Sequence, residues 1–228
     1  MTPELPSGLD LTLDQLDRDG ALREAAARLP RTRFLAAAAG AAAAFGVLAS
    51  PARAAVSRGD VAILNYALSL EYLQAAFYTE TERVGAITGK AARATRVVGA
   101  VERAHVDAFR KLLGVQAVKQ PSFDFRGTTE DQLAFLKTAV AFEDLAVAAY
   151  KGQAHLIEAD AVLAAAVAIH SVEARHAAWM RHLFGIRPAA QAFDEAKPKA
   201  EILKTVRSTR FVAARTRTKG GGAPRFTG

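Results

Sequence analysis

The chain contains no cysteine among its 228 residues. Disulfides, thiolate zinc sites and iron–sulfur clusters are therefore excluded, and the redox compartment cannot be read from thiols. Any metal site must be built from nitrogen and oxygen ligands. Proline and glycine are sparse inside the periodic stretches. Methionine is nearly absent, and Met180 beside the single tryptophan, Trp179, is read as packing rather than as a haem ligand. What the chain does have is apolar residues, 51% of the total and dominated by alanine, enough for a helical core. The length suits one domain with appendages.

The net charge of +7 is unevenly placed. From Lys197 to Gly228 there are nine basic residues and one acidic residue, Glu201, whereas Met1 to Ala54 is balanced. The part between is close to neutral, so the basic character belongs to the tail. Phe34 to Ser50 is an Ala/Gly-rich apolar run of 17 residues, preceded by Arg28, Arg31 and Arg33 and followed by Ala52-Arg53-Ala54, which fits a small-x-small cleavage site. Residues 1–54 therefore read as an export signal cleaved after Ala54. Pro30 to Leu35 resembles the twin-arginine signal, with Thr32 in place of the second arginine. The alternative is an uncleaved helix that anchors the protein.

Periodicity predicts four long helices over about 61–83, 90–113, 129–157 and 160–184. Asp60 is the expected N-cap of the first, and Thr129-x-x-Gln132 the expected capping box of the third. Helices of about 24 residues span about 36 Å. Short connections make the first two helices, and the last two, antiparallel neighbours. The middle linker, 115–128, can run the length of the bundle at about 3.3 Å per residue. The expected fold is thus all-α, a four-helix bundle over 55–187 with one long crossover between its second and third helices. A short packed extension follows over 188–212, where Ile202, Leu203 and Val206 face the bundle. A basic disordered tail covers 213–228.

One pattern occurs twice. Glu71 is followed by Tyr78, then Glu102 by His105; Glu143 is followed by Tyr150, then Glu173 by His176. The two glutamates lie 31 residues apart in the first half and 30 in the second, and flanking residues such as Ala67, Leu73 and Ala76 match Ala139, Leu145 and Ala148. Spacings of three and seven put each pair on one helix face. Glu71 and Glu143 sit in apolar stripes, where an ionised carboxylate is costly without a cation. Two divalent cations would neutralise the four glutamates. Glu102 and Glu173 would bridge them, Glu71 and Glu143 would be terminal ligands, and His105 and His176 would bind one metal each. Such a ligand set favours iron or manganese. Tyr78 and Tyr150 could hydrogen-bond the carboxylates. His155 reads as exposed; His170 and His182 could support the ligands but read better as surface or interface residues, and Arg110 and Arg181 as the solvent ends of their helices.

These six ligands and the Glu-x6-Tyr spacing resemble the ferritin-like superfamily of di-iron and di-manganese carboxylate proteins. The export signal and the stretch Asn65 to Leu73 are similar to an exported bacterial branch related to desiccation-related proteins. The resemblance covers about Asp60 to Val212. It implies two iron or manganese ions, mixed occupancy included, and chemistry toward oxygen, peroxide or ferrous ion. It does not decide between a ferroxidase or peroxide-reducing enzyme and a non-catalytic metal-binding stress or envelope protein. Cage-type iron storage is weaker, because no long fifth helix is evident. The tail suits an anionic envelope polymer better than a specific nucleic acid. A homo-oligomer remains open.

Overall fold

The computed structural model describes residues 56–213, all but two isolated bridge residues helical or irregular. The expected export signal and nearly all of the basic tail lie outside the described residues. Four long helices, α1 (Arg58–Val84), α2 (Gly89–Leu113), α3 (Gln132–Ala154) and α4 (Asp160–Leu183), are followed by the shorter α5 (Lys199–Thr209). A turn of 3-10 helix, Gly114–Gln116, extends α2. None of the described helices is long and apolar enough to cross a membrane.

The helix ends follow local chemistry, with two corrections to the sequence reading. Ser57, not Asp60, caps α1, accepting from the Asp60 amide at 3.0 Å. Asp60 is fully buried and accepts instead from the amides of Glu158 and Ala159, at 2.9 and 3.0 Å. Those amides precede α4, whose own N-cap position is Ala159 and has no side-chain acceptor. The third helix begins three residues later than expected. Arg126 and Gly127 take positive φ and fold 126–130 into turns, so Thr129 cannot cap; Asp131 does, accepting from Ala134 at 2.7 Å. Gly85 ends α1 in the left-handed region, where a side chain would be strained.

α1 packs along α2 and α3 along α4, with further contacts between α1 and α3 and between α2 and α4. The connection from α2 to α3 starts beside Asn65, which bonds Gln116 and Val118, and ends where Gln132 meets Thr88 just beyond α1. Two apolar clusters fill the interior. One is aromatic: Phe77 stacks on Phe135 and meets Phe125 and Phe142 edge-on, with Phe211 closing over Phe125 and Phe142. The other gathers Leu64, Leu68, Phe109, Val162 and Ile169. A third, smaller one forms where Ile202 of α5, fully buried, packs on Tyr66, Leu70, Ala148 and Ala149; Leu203 and Val206 support it. The extension after α4 lies close enough to α3 that the Lys197 amide donates to the Ala148 carbonyl at 3.1 Å. Its end pairs with the α2–α3 connection through Phe123 and Val212.

Candidate metal centre

On α2, α3 and α4 one buried glutamate falls between the segment that builds the aromatic cluster and the one that builds the aliphatic cluster, and on α1 Glu71 lies just before the stretch where the two interleave. Glu71 comes from α1, Glu102 and His105 from α2, Glu143 from α3, and Glu173 and His176 from α4. The structure brings all six side chains into one cluster. The four glutamates have no solvent exposure; His105 retains 9% and His176 6%. Glu71, Glu102, His105 and Glu173 offer ligand atoms that all lie within 4.8 Å of one another, and so do Glu102, Glu143, Glu173 and His176. Glu102 and Glu173 belong to both groups.

The histidines meet the carboxylates through Nδ1. His105 Nδ1 lies 3.3 Å from Glu71 Oε2, 3.2 Å from Glu173 Oε1 and 3.5 Å from Glu102 Oε2. His176 Nδ1 lies 2.8 Å from Glu102 Oε1 and 3.6 Å from Glu143 Oε2. The two rings are 6.5 Å apart. None of these approaches is aligned as a hydrogen bond: both Nδ1 atoms, both Glu102 oxygens, Glu71 Oε2 and Glu173 Oε1 are buried without a hydrogen-bond partner. Lone-pair atoms crowded together in a dry interior are costly unless something positive sits among them. The donor set, all oxygen and imidazole nitrogen, fits hard or borderline divalent ions.

The electrostatics of the cluster without a cation show the same conflict. Burial, against the facing imidazoles, pushes Glu102 up to about 7. Burial and the neighbouring Glu102 and Glu71 charges hold Glu173 well above the usual carboxylate range. Burial also pushes Glu71 upward, but His105 and the bond from Tyr150 outweigh it and leave Glu71 lowered. Burial pulls both imidazoles down and the carboxylates raise them more, His176 to about 10 and His105 further. Protons thus occupy places where cationic charge is wanted.

The tyrosines act across the repeat. Tyr78 of α1 donates to Glu143 Oε1 of α3, and Tyr150 of α3 donates to Glu71 Oε1 of α1. Burial first, and those carboxylates next, hold both phenols well above their ordinary value. Gly99 of α2 lets Tyr78 pack closely, since a Cβ there would stand 2.8 Å from the Tyr78 Cβ. Sequence reasoning missed Gln74, which is 2% exposed and donates from Nε2 to Glu143 Oε2 at 3.1 Å and Glu173 Oε2 at 3.4 Å. Its only signal was a polar residue one turn after Glu71 in an apolar stripe. Of the residues read as peripheral, His155 and His182 are exposed and Met180 is packed in the aromatic cluster. Arg181 is not a free helix end but a two-pronged partner of Asp144, at 2.8 and 2.7 Å.

Comparison with curated proteins finds no match to the chain. The model of the ferritin-like domain matches residues 59–185, which spans all four long helices and all six clustered side chains. The chain belongs to the ferritin-like domain family, with a buried glutamate–histidine cluster able to bind metal.

Proposed function

We propose that this protein is an exported ferritin-like protein whose cluster holds two iron or manganese ions and is redox-active toward oxygen, peroxide or ferrous ion. The observation that carries the reading is the set of four fully buried carboxylates and two imidazoles whose facing atoms lack partners. Glu102 and Glu173, shared by both groups, would bridge; Glu71 with His105 and Glu143 with His176 would complete the two positions. Bound there, a pair of redox-active ions would supply electron-transfer chemistry, with ferrous ion as the reductant and oxygen or peroxide as the oxidant. The chain's part is to set geometry and exclude water. Tyr150 and Tyr78 fix the terminal glutamates, and the apolar clusters seal the site along the bundle axis. Of the six clustered side chains only the imidazoles of α2 and α4 keep any exposure, so small reactants would reach the site from that side. Export is supported by the apolar run 34–50, its preceding arginines and Ala52-Arg53-Ala54.

Protein purified from its own host should contain iron or manganese, and should turn over peroxide or oxidise ferrous ion at a rate lost in Glu102→Ala. Loaded protein with no rate above background would replace the redox reading by a metal-binding stress or envelope role. Host protein free of transition metal would remove both. The exported chain should begin at Ala55; a chain still starting at Met1 would remove the cleaved signal.

A further inference from the structure

The two halves of the repeat match at every clustered ligand and tyrosine, yet they differ three residues after the first glutamate. α1 carries Gln74 there; the corresponding position of α3 is Ala146. Both are buried. The Gln74 amide points its Nε2 at Glu143 and Glu173, whose Oε2 atoms accept from it. Glu143 consequently has both oxygens engaged, Oε1 by Tyr78 and Oε2 by Gln74. Its counterpart Glu71 has one donor, Tyr150 on Oε1, while Oε2 stays without a hydrogen-bond partner. Oε2 is the oxygen that each of these glutamates turns toward its histidine, Glu71 toward His105 at 3.3 Å and Glu143 toward His176 at 3.6 Å, whereas the tyrosines hold the other oxygen, Oε1. Gln74 therefore occupies a lone pair on the oxygen that a cation between carboxylate and imidazole would use.

We infer that Gln74 makes the two metal positions unequal: the position of Glu71 and His105 binds first and more tightly, and that of Glu143 and His176 binds second and more weakly. This rests on the two-metal reading above. Gln74 is a positioning residue, acting through Glu143 and Glu173. A weak second position would let one ion exchange while the other stays, which is what uptake of a metal ion as substrate requires.

Anaerobic titration of the metal-free protein with Mn(II), followed by calorimetry and by electron paramagnetic resonance, tests this. The wild type should show two binding phases, with a mononuclear manganese signal at one equivalent and a coupled pair at two. Charge repulsion between ions alone also separates two phases, so the variants decide. Gln74→Ala, and the near-isosteric Gln74→Met as a check on packing, should strengthen the second phase by about tenfold, which corresponds to about 1.4 kcal/mol. The coupled signal should then already appear below two equivalents. His105→Ala should remove the tighter phase and His176→Ala the weaker one. Folded Gln74 variants with wild-type isotherms, or loss of the tighter phase in His176→Ala, would overturn the inference while leaving the two-metal reading intact. No binding in the wild type would overturn that reading itself.

Discussion

Tyr78 and Tyr150 each reach over to the glutamate of the other repeat half, so neither the Glu143 nor the Glu71 carboxylate is oriented by its own helix. Their spacing from Glu71 and Glu143 told which helix face they share. It could not tell which partner stands opposite, because a helical period describes one surface and not its neighbour. Gln74 was illegible for a related reason: the repeat that exposed the clustered glutamates and histidines hides any residue lacking a counterpart. These bonds predict a cost at each position. Tyr150→Phe removes the one hydrogen-bond donor that the described residues offer Glu71, on Oε1, and should weaken metal binding by about 10- to 100-fold without unfolding the protein. Tyr78→Phe removes the donor on the corresponding oxygen of Glu143 and should weaken binding at that position by a similar factor, because the Gln74 bond goes to Oε2 and does not replace it. Metal titration with circular dichroism checks both; wild-type affinity in Tyr150→Phe would show that the phenol merely packs.

Four helices of 23 to 27 residues were legible because alanine-rich stretches with a 3.6-residue period offer few alternatives. Their ends were less so. Asp60 looks like a local cap, but its carboxylate serves α4, nearly a hundred residues away. Local sequence cannot show a tertiary acceptor. Asp60→Ala should therefore cost about 1–2 kcal/mol, the scale of losing a helix cap, and loosen the start of α4. Denaturation and hydrogen exchange over 158–163 check this, with Asp60→Asn expected to recover part of the loss. The extension after α4 depends on Gly152, where a Cβ would stand 2.0 Å from the Lys197 carbonyl oxygen. Gly152→Ala should cost about 1–3 kcal/mol by overpacking and raise exchange at 197–203, where Ile202 is buried. Unchanged protection there would mean that the strand of chain shifts freely.

At the scale of the whole molecule, the bundle encloses four acids that its apolar interior disfavours, and the cost depends on pH. Glu102 is held up at about 7 against an ordinary value of 4.5. Folding thus favours its protonated form; that contribution is complete below about 4.5 and is lost as pH rises through about 7. His176, raised to about 10 from 6.5, contributes below about 6.5 and loses its contribution as pH rises through about 10. Both groups act in the same direction, so the metal-free protein should become less stable between about pH 5 and about pH 8. Divalent ions reverse the preference, since carboxylate and imidazole ligands must give up their protons to bind. Excess Mn(II) should therefore raise the melting temperature more at about pH 8 than at about pH 5, and binding should release protons, read as a dependence of the calorimetric heat on the buffer's ionisation enthalpy. A metal-induced increment that shrinks with rising pH, or heats independent of buffer, would mean that the cluster is held by its own protons and that cations bind elsewhere.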